Sequence, residues 1–390
     1  MPAQAQPETG AAKAGYRFLL LGGCLLLAAC ARSACVDWPA WRDFSHDFIG
    51  DGGRVIEHAT PRQQTVSEAQ AYAMFFALVA NDRIRFDRLL GWTQDNLAQG
   101  DLTAHLPAWL WGHRDDGNWG PVDDNSAADA DLWLTYVLHE AGRLWREPRY
   151  SALASLVGKR MLKEEVAELP GLGKTLLPAP RGFAPDPDTW RLNPSYAPVQ
   201  LLRRLAADTP GSDWTQVLAS SLRVVTESSV KGYVPDWVLY HGGTGFTADL
   251  DSHGIGSYDA IRVYLWAGML AADDPARNAI LSRLQPMALF IERNGAPPAK
   301  VDTATGQAQG TGPAGFSAAL LPFLDALGLT DAARHQALRV EAMGGIRDST
   351  YYDRVLNLFG RGWHDGRFRF DREGGLSLRW AGACAKSGAH

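Results

Sequence analysis

Glu68, Asp129, Asp131, Tyr196, Tyr258 and Asp259 share a context: each follows a serine by five residues or fewer, where an apolar run begins. Paired carboxylates divide acid–base work between them. One protonates a departing oxygen while another activates water or attacks carbon, which is the chemistry of glycosidic bond cleavage. The stretches ahead of these runs supply Trp109, Trp111, Trp119 and Trp237. Flat aromatic faces suit the apolar C–H surfaces of sugar rings. Tyr258 and Arg262 complete the candidate substrate contacts.

Structural explanations stand beside the chemical ones. A carboxylate in the first turn of a helix is favoured by the helix dipole whatever its function. Ser126 with Asp129 is itself a plausible capping arrangement, and Asp131 suits the job of holding a neighbouring helix or loop. Arg262 lies three residues after Asp259 and could simply pair with it. Trp133, Trp145 and Trp266, inside helical runs, are expected in the core. A tension also arises at Glu68: a general acid must keep its proton, yet the dipole at a helix start favours the charged form. Burial and a neighbouring anion would have to outweigh the dipole.

The elements that must position these groups are helices of two kinds. The amphipathic kind is expected over Pro39–Ile49, Arg85–Ala98, Pro148–Val166, Ser212–Ser228, Pro275–Arg293 and Asp331–Met343. The second kind is more apolar, with expected caps at Ser67, Ser126, Ser195, Ser257, Ser317 and Thr350. It runs through Ala80, Trp145, about Leu205, Leu270, Leu327 and Phe359. Ser67 with Gln70 reads as a capping box that places Glu68 in a first turn. Outer and inner kinds alternate six times, the pattern of an all-α toroid of six helical hairpins. All inner helices would then start on one rim. The loops before them are long and rich in Gly, Pro, Trp and Asp, and Gly306–Gly315 looks flexible. Alternation from Arg367 to Phe370 and from Leu376 to Trp380, around a turn, predicts a β-hairpin.

The chain has 390 residues, 46% of them hydrophobic, enough for a sizeable core. No β-rich half or polar linker divides it, so residues 35–390 read as one domain, expected as a monomer. The net charge of −5 and the lack of any Lys/Arg-rich run argue against nucleic acid or an anionic membrane as partner. Residues 1–34 read as an export signal: Lys13 and Arg17 precede an apolar stretch from Phe18 to Ala29. Cleavage near Ala29 or Ala34 would release the protein, whereas Leu27-Ala28-Ala29-Cys30 resembles a lipobox that would tether it through Cys30. In an oxidising compartment Cys35 and Cys384 could pair. No Cys/His spacing suggests a metal, and no cofactor is expected.

Several stretches resemble glycoside hydrolase family 8, most closely its endoglucanases encoded alongside bacterial cellulose synthase. They are Val66-Ser-Glu-Ala-Gln-Ala-Tyr, Leu106-Pro-Ala-Trp-Leu-Trp-Gly, Asn125-Ser-Ala-Ala-Asp-Ala-Asp-Leu-Trp and Asn193-Pro-Ser-Tyr, then Val234-Pro-Asp-Trp, Ser257-Tyr-Asp-Ala-Ile-Arg and Tyr351-Tyr-Asp-Arg. The resemblance implies an (α/α)6 barrel and an inverting endo-β-1,4-glucanase acting on cellulose chains, with the synthesis and export machinery as a partner. It implies Glu68 as proton donor, Asp259 as general base and Tyr196 near the attacking water. Asp129 matches a signature residue often taken for a nucleophile. Inversion forms no covalent intermediate, so its implied role is to bind and distort the sugar. Ala128 stands where the signature has Ser or Thr, removing a hydroxyl that could steady Asp129. Another β-glycan (xylan, chitosan, mixed-linkage glucan) remains an alternative substrate, and a glucan-binding accessory protein an alternative role.

Overall fold

The computed structural model describes residues 1–2, 37–343 and 350–382. The apolar stretch 18–29, Cys30, Cys35 and Cys384 fall outside the described residues. Among the described residues no helix is long and apolar enough to cross a membrane.

Among the described residues, twelve α-helices carry the fold. In chain order they are α1 (Pro39–Phe48), α2 (Ser67–Val79), α3 (Arg83–Leu97), α4 (Ala128–Trp145), α5 (Pro148–Glu164) and α6 (Val199–Asp208). They continue with α7 (Trp214–Ser228), α8 (Ala260–Gly268), α9 (Arg277–Asn294), α10 (Ala314–Ala326), α11 (Thr330–Ala342) and α12 (Tyr351–His364). The even-numbered helices form the inner ring. Each packs on the next, α2 on α4 and so on to α12. Phe359 of α12 closes the ring against Phe75 and Phe76 of α2, with centroids 5.4 and 4.6 Å apart. Trp133 and Trp266 meet Phe359 at 5.2 and 5.1 Å, so the barrel axis is filled by aromatic rings rather than left open. This is an (α/α)6 barrel.

Each inner helix pairs with the outer helix that follows it, and α12 pairs with α1 from the other end of the chain. Inner-to-outer connections are short, as at Ala80–Asp82 and Arg146–Glu147. Outer-to-inner connections as far as α10 are long and contain nearly all the strands. The inner helices from α2 to α10 are therefore entered from long loops, and those loops share one rim with the inner N-termini. Inner helices also approach closely. A Cβ on Gly360 of α12 would lie 1.9 Å from the Ala318 carbonyl oxygen, and one on Gly268 of α8 would lie 2.2 Å from the Phe323 nitrogen.

The long loops hold small antiparallel sheets that periodicity did not reveal. Strands β1 (Thr65–Val66), β2 (Leu110–His113) and β3 (Trp119–Asp123) form one; β4 (Val166–Leu169) and β5 (Gly173–Leu176) form another. Strands β6 (Thr189–Leu192), β7 (Val238–His241) and β8 (Gly245–Ala248) make a third. A fourth joins β9 (Ile255–Gly256), β10 (Lys300–Asp302) and β11 (Ala308–Gln309). Gly306–Gly315 is thus not a structureless loop: β11 pairs with β10, and α10 begins at Ala314. The expected C-terminal hairpin is present as β12 (Phe368–Phe370) and β13 (Leu376–Leu378).

Most expected serine caps are absent. Only Thr350 caps its helix, accepting the Asp353 N–H. The capping box at Ser67 fails because Gln70 is fully buried and faces away from the helix start. Its Oε1 accepts from the Val55 N–H at 2.7 Å, and its amide donates to Gly53, Leu89 and Thr93. Ser126 and Ser195 lie before their helices, Ser257 is likewise outside α8, and Ser317 is inside α10. These serines are bound by tertiary partners instead, because a buried hydroxyl takes whatever acceptor the fold brings.

Candidate active site

Glu68 sits in the first turn of α2, which is buried on every side beyond it. Its entry is fixed by the β1–β2 pairing, Val66 against Leu110, and by the Ser67 N–H donating to the Trp109 carbonyl at 2.9 Å. Asp129 and Asp131 occupy the first turn of α4, whose Ala128 N–H donates to Pro178. Asp259 is the residue at the N-cap position of α8. The common rim brings these groups together around one cation. Arg262, only 6% exposed, donates from Nη2 to Asp259 Oδ1 at 2.8 Å and to Ser195 Oγ at 2.8 Å. Its Nη1 lies 3.5 Å from Asp129 Oδ2. Arg262 therefore ties the carboxylates to one another from below, and its guanidinium is already occupied by protein groups.

The field of this cluster sets the protonation states. Burial pushes the Glu68 carboxyl above its ordinary value, and the Asp259 charge adds to that; backbone hydrogen bonding, Arg262 and Ser67 pull the other way without cancelling it. Asp129 is pushed well up by burial first and the Glu68 charge second. Its Oδ1 accepts the Ala130 N–H at 2.9 Å, while Oδ2 has no hydrogen-bond partner among the described residues. Asp131 is fully buried. It is pushed well up by burial first and by Glu165, at the C-terminal end of α5, second.

The aromatic residues divide into two groups. Trp111 and Trp119 stack at 5.3 Å with an interplanar angle of 19°, and Trp119 is 49% exposed. The Arg54 guanidinium lies 4.3 and 4.9 Å from their ring centres. Thr65 pairs with Trp111, so this platform is continuous with the strand that enters α2. Trp237 stacks on Phe183 at 5.7 Å and meets Tyr196 edge-on at 5.7 Å. Tyr258 is 54% exposed beside Asp259, and the hydroxyl of Tyr352 on α12 donates to its carbonyl. Trp133 and Trp266 are core, while Trp145 is partly buried and donates to Asn81.

A ring of acids over one cation, flanked by aromatic platforms, suits acid–base cleavage of a polysaccharide. The sequence model of the Glycosyl hydrolases family 8 matches residues 21–366. The chain belongs to that family. It is 48% identical to an endoglucanase of Escherichia coli strain K12 over 363 residues, covering 93% of this chain and 97% of that one. An endoglucanase of Xanthomonas axonopodis pv. citri is 45% identical, with 94% and 96% covered. Among solved structures, the endo-1,4-D-glucanase of Vibrio fischeri ES114 superposes with a TM-score of 0.85 at 44% identity, over 88% of this chain and 99% of that one.

As a family 8 glycosyl hydrolase this chain is a glycoside hydrolase, and its rim carries residues that sequence reasoning passed over. Asp236 is the foremost. It lies in the quoted Val234-Pro-Asp-Trp stretch yet drew no role, because a single Asp in a loop gives no periodic signal. Ser195, read as a cap, instead receives Arg262 and directs its own N–H and Oγ to Asn193. Phe183 and Arg54 were hidden in loops without motif. A cavity of about 620 Å³ lies at the other ends of the inner helices, lined by Gly268, Pro322, Trp363 and Arg369. None of the carboxylate cluster borders it.

Proposed function

We propose that the protein is an exported, inverting endo-β-1,4-glucanase that trims cellulose chains during their secretion. Glu68 protonates the leaving 4-oxygen, and Asp259 takes a proton from water attacking the opposite face. Asp129 binds the sugar at the cleavage point and favours its distortion, and Tyr196 flanks the water. Trp111, Trp119 and Trp237 stack on neighbouring sugar rings, with Trp109 beside them at the entry to α2. The observation that carries this reading is the placement of three carboxylates from three inner helices around Arg262, one of them a glutamate whose surroundings favour its proton. Endoglucanases at 45–48% identity over most of their length support the glucan substrate. The lysine and arginine ahead of an apolar run at 18–29 support export, to the periplasm or beyond it.

Proton NMR of the earliest products of a β-1,4-glucan tests the mechanism. The α-anomer should appear first and equilibrate later. Accumulation of the β-anomer first would mean retention, and the assignment of Asp259 as a water-activating base would fail.

A further inference from the structure

Helix α8 begins without a cap of its own. Asp259 occupies the N-cap position with helical backbone angles, and its side chain makes no bond to the first turn. It turns to Arg262 instead. A helix start leaves N–H groups that need acceptors. Here the acceptor comes from outside the helix. Oδ1 of Asp236, in the loop after α7, accepts the N–H of Ser257 at 2.8 Å, of Asp259 at 3.1 Å and of Ala260 at 2.7 Å.

Asp236 is itself held. Its own N–H donates to the Ile255 carbonyl at 2.8 Å, and the Val234 N–H donates to the Tyr264 hydroxyl at 3.2 Å. The two segments touch so closely that a Cβ on Gly256 would lie 2.0 Å from the Val234 carbonyl oxygen. On the far side, Ser257 Oγ donates to Ala299 at 2.8 Å and Tyr352 holds Tyr258. The Ser257–Ala260 turn is therefore fixed from α12, from the loop before β10 and from Asp236. Of these three holds, only Asp236 places a charge next to Asp259 while binding its backbone.

We infer that Asp236 is a positioning residue for Asp259, aiming its carboxylate at the water and adding a second negative charge behind it. This rests on the reading of Asp259 as the base. The groups around Asp236 are Asp259 and Tyr264 on α8 and Tyr352 on α12. Asp259 in turn faces Arg262 on its own helix, Glu68 on α2, Asp129 on α4 and Tyr196 before α6. Burial, and then the Asp259 charge, push the Asp236 carboxyl up to about 6. Its charge therefore appears within the working range of an acid–base pair.

Asp236→Asn keeps an acceptor oxygen and removes the charge, whereas Asp236→Ala removes both. Hydrolysis of a soluble β-1,4-glucan is followed between about pH 4.5 and 8, beside melting temperature. Asp236→Asn should melt near the wild type, keep KM within about twofold and lose about tenfold in kcat at neutral pH. The rise in kcat expected of the wild type as Asp236 ionises should be lost. Asp236→Ala should lose more and melt lower. Asp236→Asn with the wild-type kcat and pH profile overturns the inference, and so does a loss seen wholly in KM. Asp259→Asn is run in parallel. If that variant stays active, the base assignment falls and this inference with it. If it is inactive while Asp236→Asn matches the wild type, only this inference falls.

Discussion

At the scale of single residues, the proposed chemistry turns on how Glu68 keeps its proton at a helix start. The dipole and the backbone N–H groups there favour the anion. Burial outweighs them, and the Asp259 charge works in the same direction. Arg262 opposes both, with a larger effect than the Asp259 charge, but burial remains the dominant cause. Glu68→Gln preserves shape and removes the proton source. Its kcat should fall about a thousandfold while cello-oligosaccharide binding, measured by calorimetry, stays within a few-fold. A variant that still turned over cellulose chains would remove Glu68 from the mechanism. The raised carboxyl also predicts that wild-type activity falls on the alkaline side at a pH above the ordinary carboxylate range of about 4 to 5.

At the scale of elements, the site depends on the inner helices sharing a rim to within ångströms. Three features enforce this: short inner-to-outer turns, aromatic rings filling the axis, and glycines where helices nearly touch. Gly360 illustrates the third. A methyl there meets the α10 backbone, which cannot swing aside as a flexible side chain would. Gly360→Ala should therefore lower stability by about 1–3 kcal/mol, or more if α10 cannot shift. Chemical denaturation with kcat measured on the folded enzyme checks this. A variant of unchanged stability would show that α10 and α12 are not held at this contact. The small loop sheets act at the same scale, since β1–β2 carries the tryptophan platform directly into α2.

At the scale of the whole molecule, the C-terminal hairpin is fastened to α4 and α6 through Glu140. This buried carboxylate accepts the Leu376 N–H and bonds to Arg143 and Arg204. Tyr136 adds a bond to the Gly374 carbonyl, and Trp380 one to Leu78. Burial alone would raise the Glu140 carboxyl, but hydrogen bonds from His139, Arg143 and the Leu376 N–H lower it from 4.5 to about 2. Glu165 is the opposite case, pushed from 4.5 to about 7, chiefly by burial. The signs follow from linkage. Glu140 contributes stability above pH 4.5 that is lost as pH falls through 2. Glu165 contributes stability below pH 4.5 that is lost as pH rises through 7. Each amounts to about 3 kcal/mol. Thermal denaturation across pH should show Glu165→Gln flattening the neutral side and Glu140→Gln flattening the acid side. Parallel curves for wild type and either variant would refute that group's part.

The chain itself determined the helix inventory, and for a definite reason. Burial on all sides of α2 and on one face of the outer helices is written as local hydrophobic periodicity, so six inner and six outer helices could be counted. Glu68, Asp129 and Asp259 were legible because each stands at the start of such a helix, within a recognisable motif. Other features depended on partners distant in the chain. The capping pattern gave way to tertiary partners, as at Gln70, which accepts the Val55 N–H and donates to Thr93. Inner helices paired with the following outer helix, and α12 with α1, because only the closed ring brings the two ends together. Asp236 could be assigned only once folding set it against a helix start 23 residues away. The residue types came from the sequence; their charge states and mutual aim came from burial and close approach, which exist only in the folded barrel.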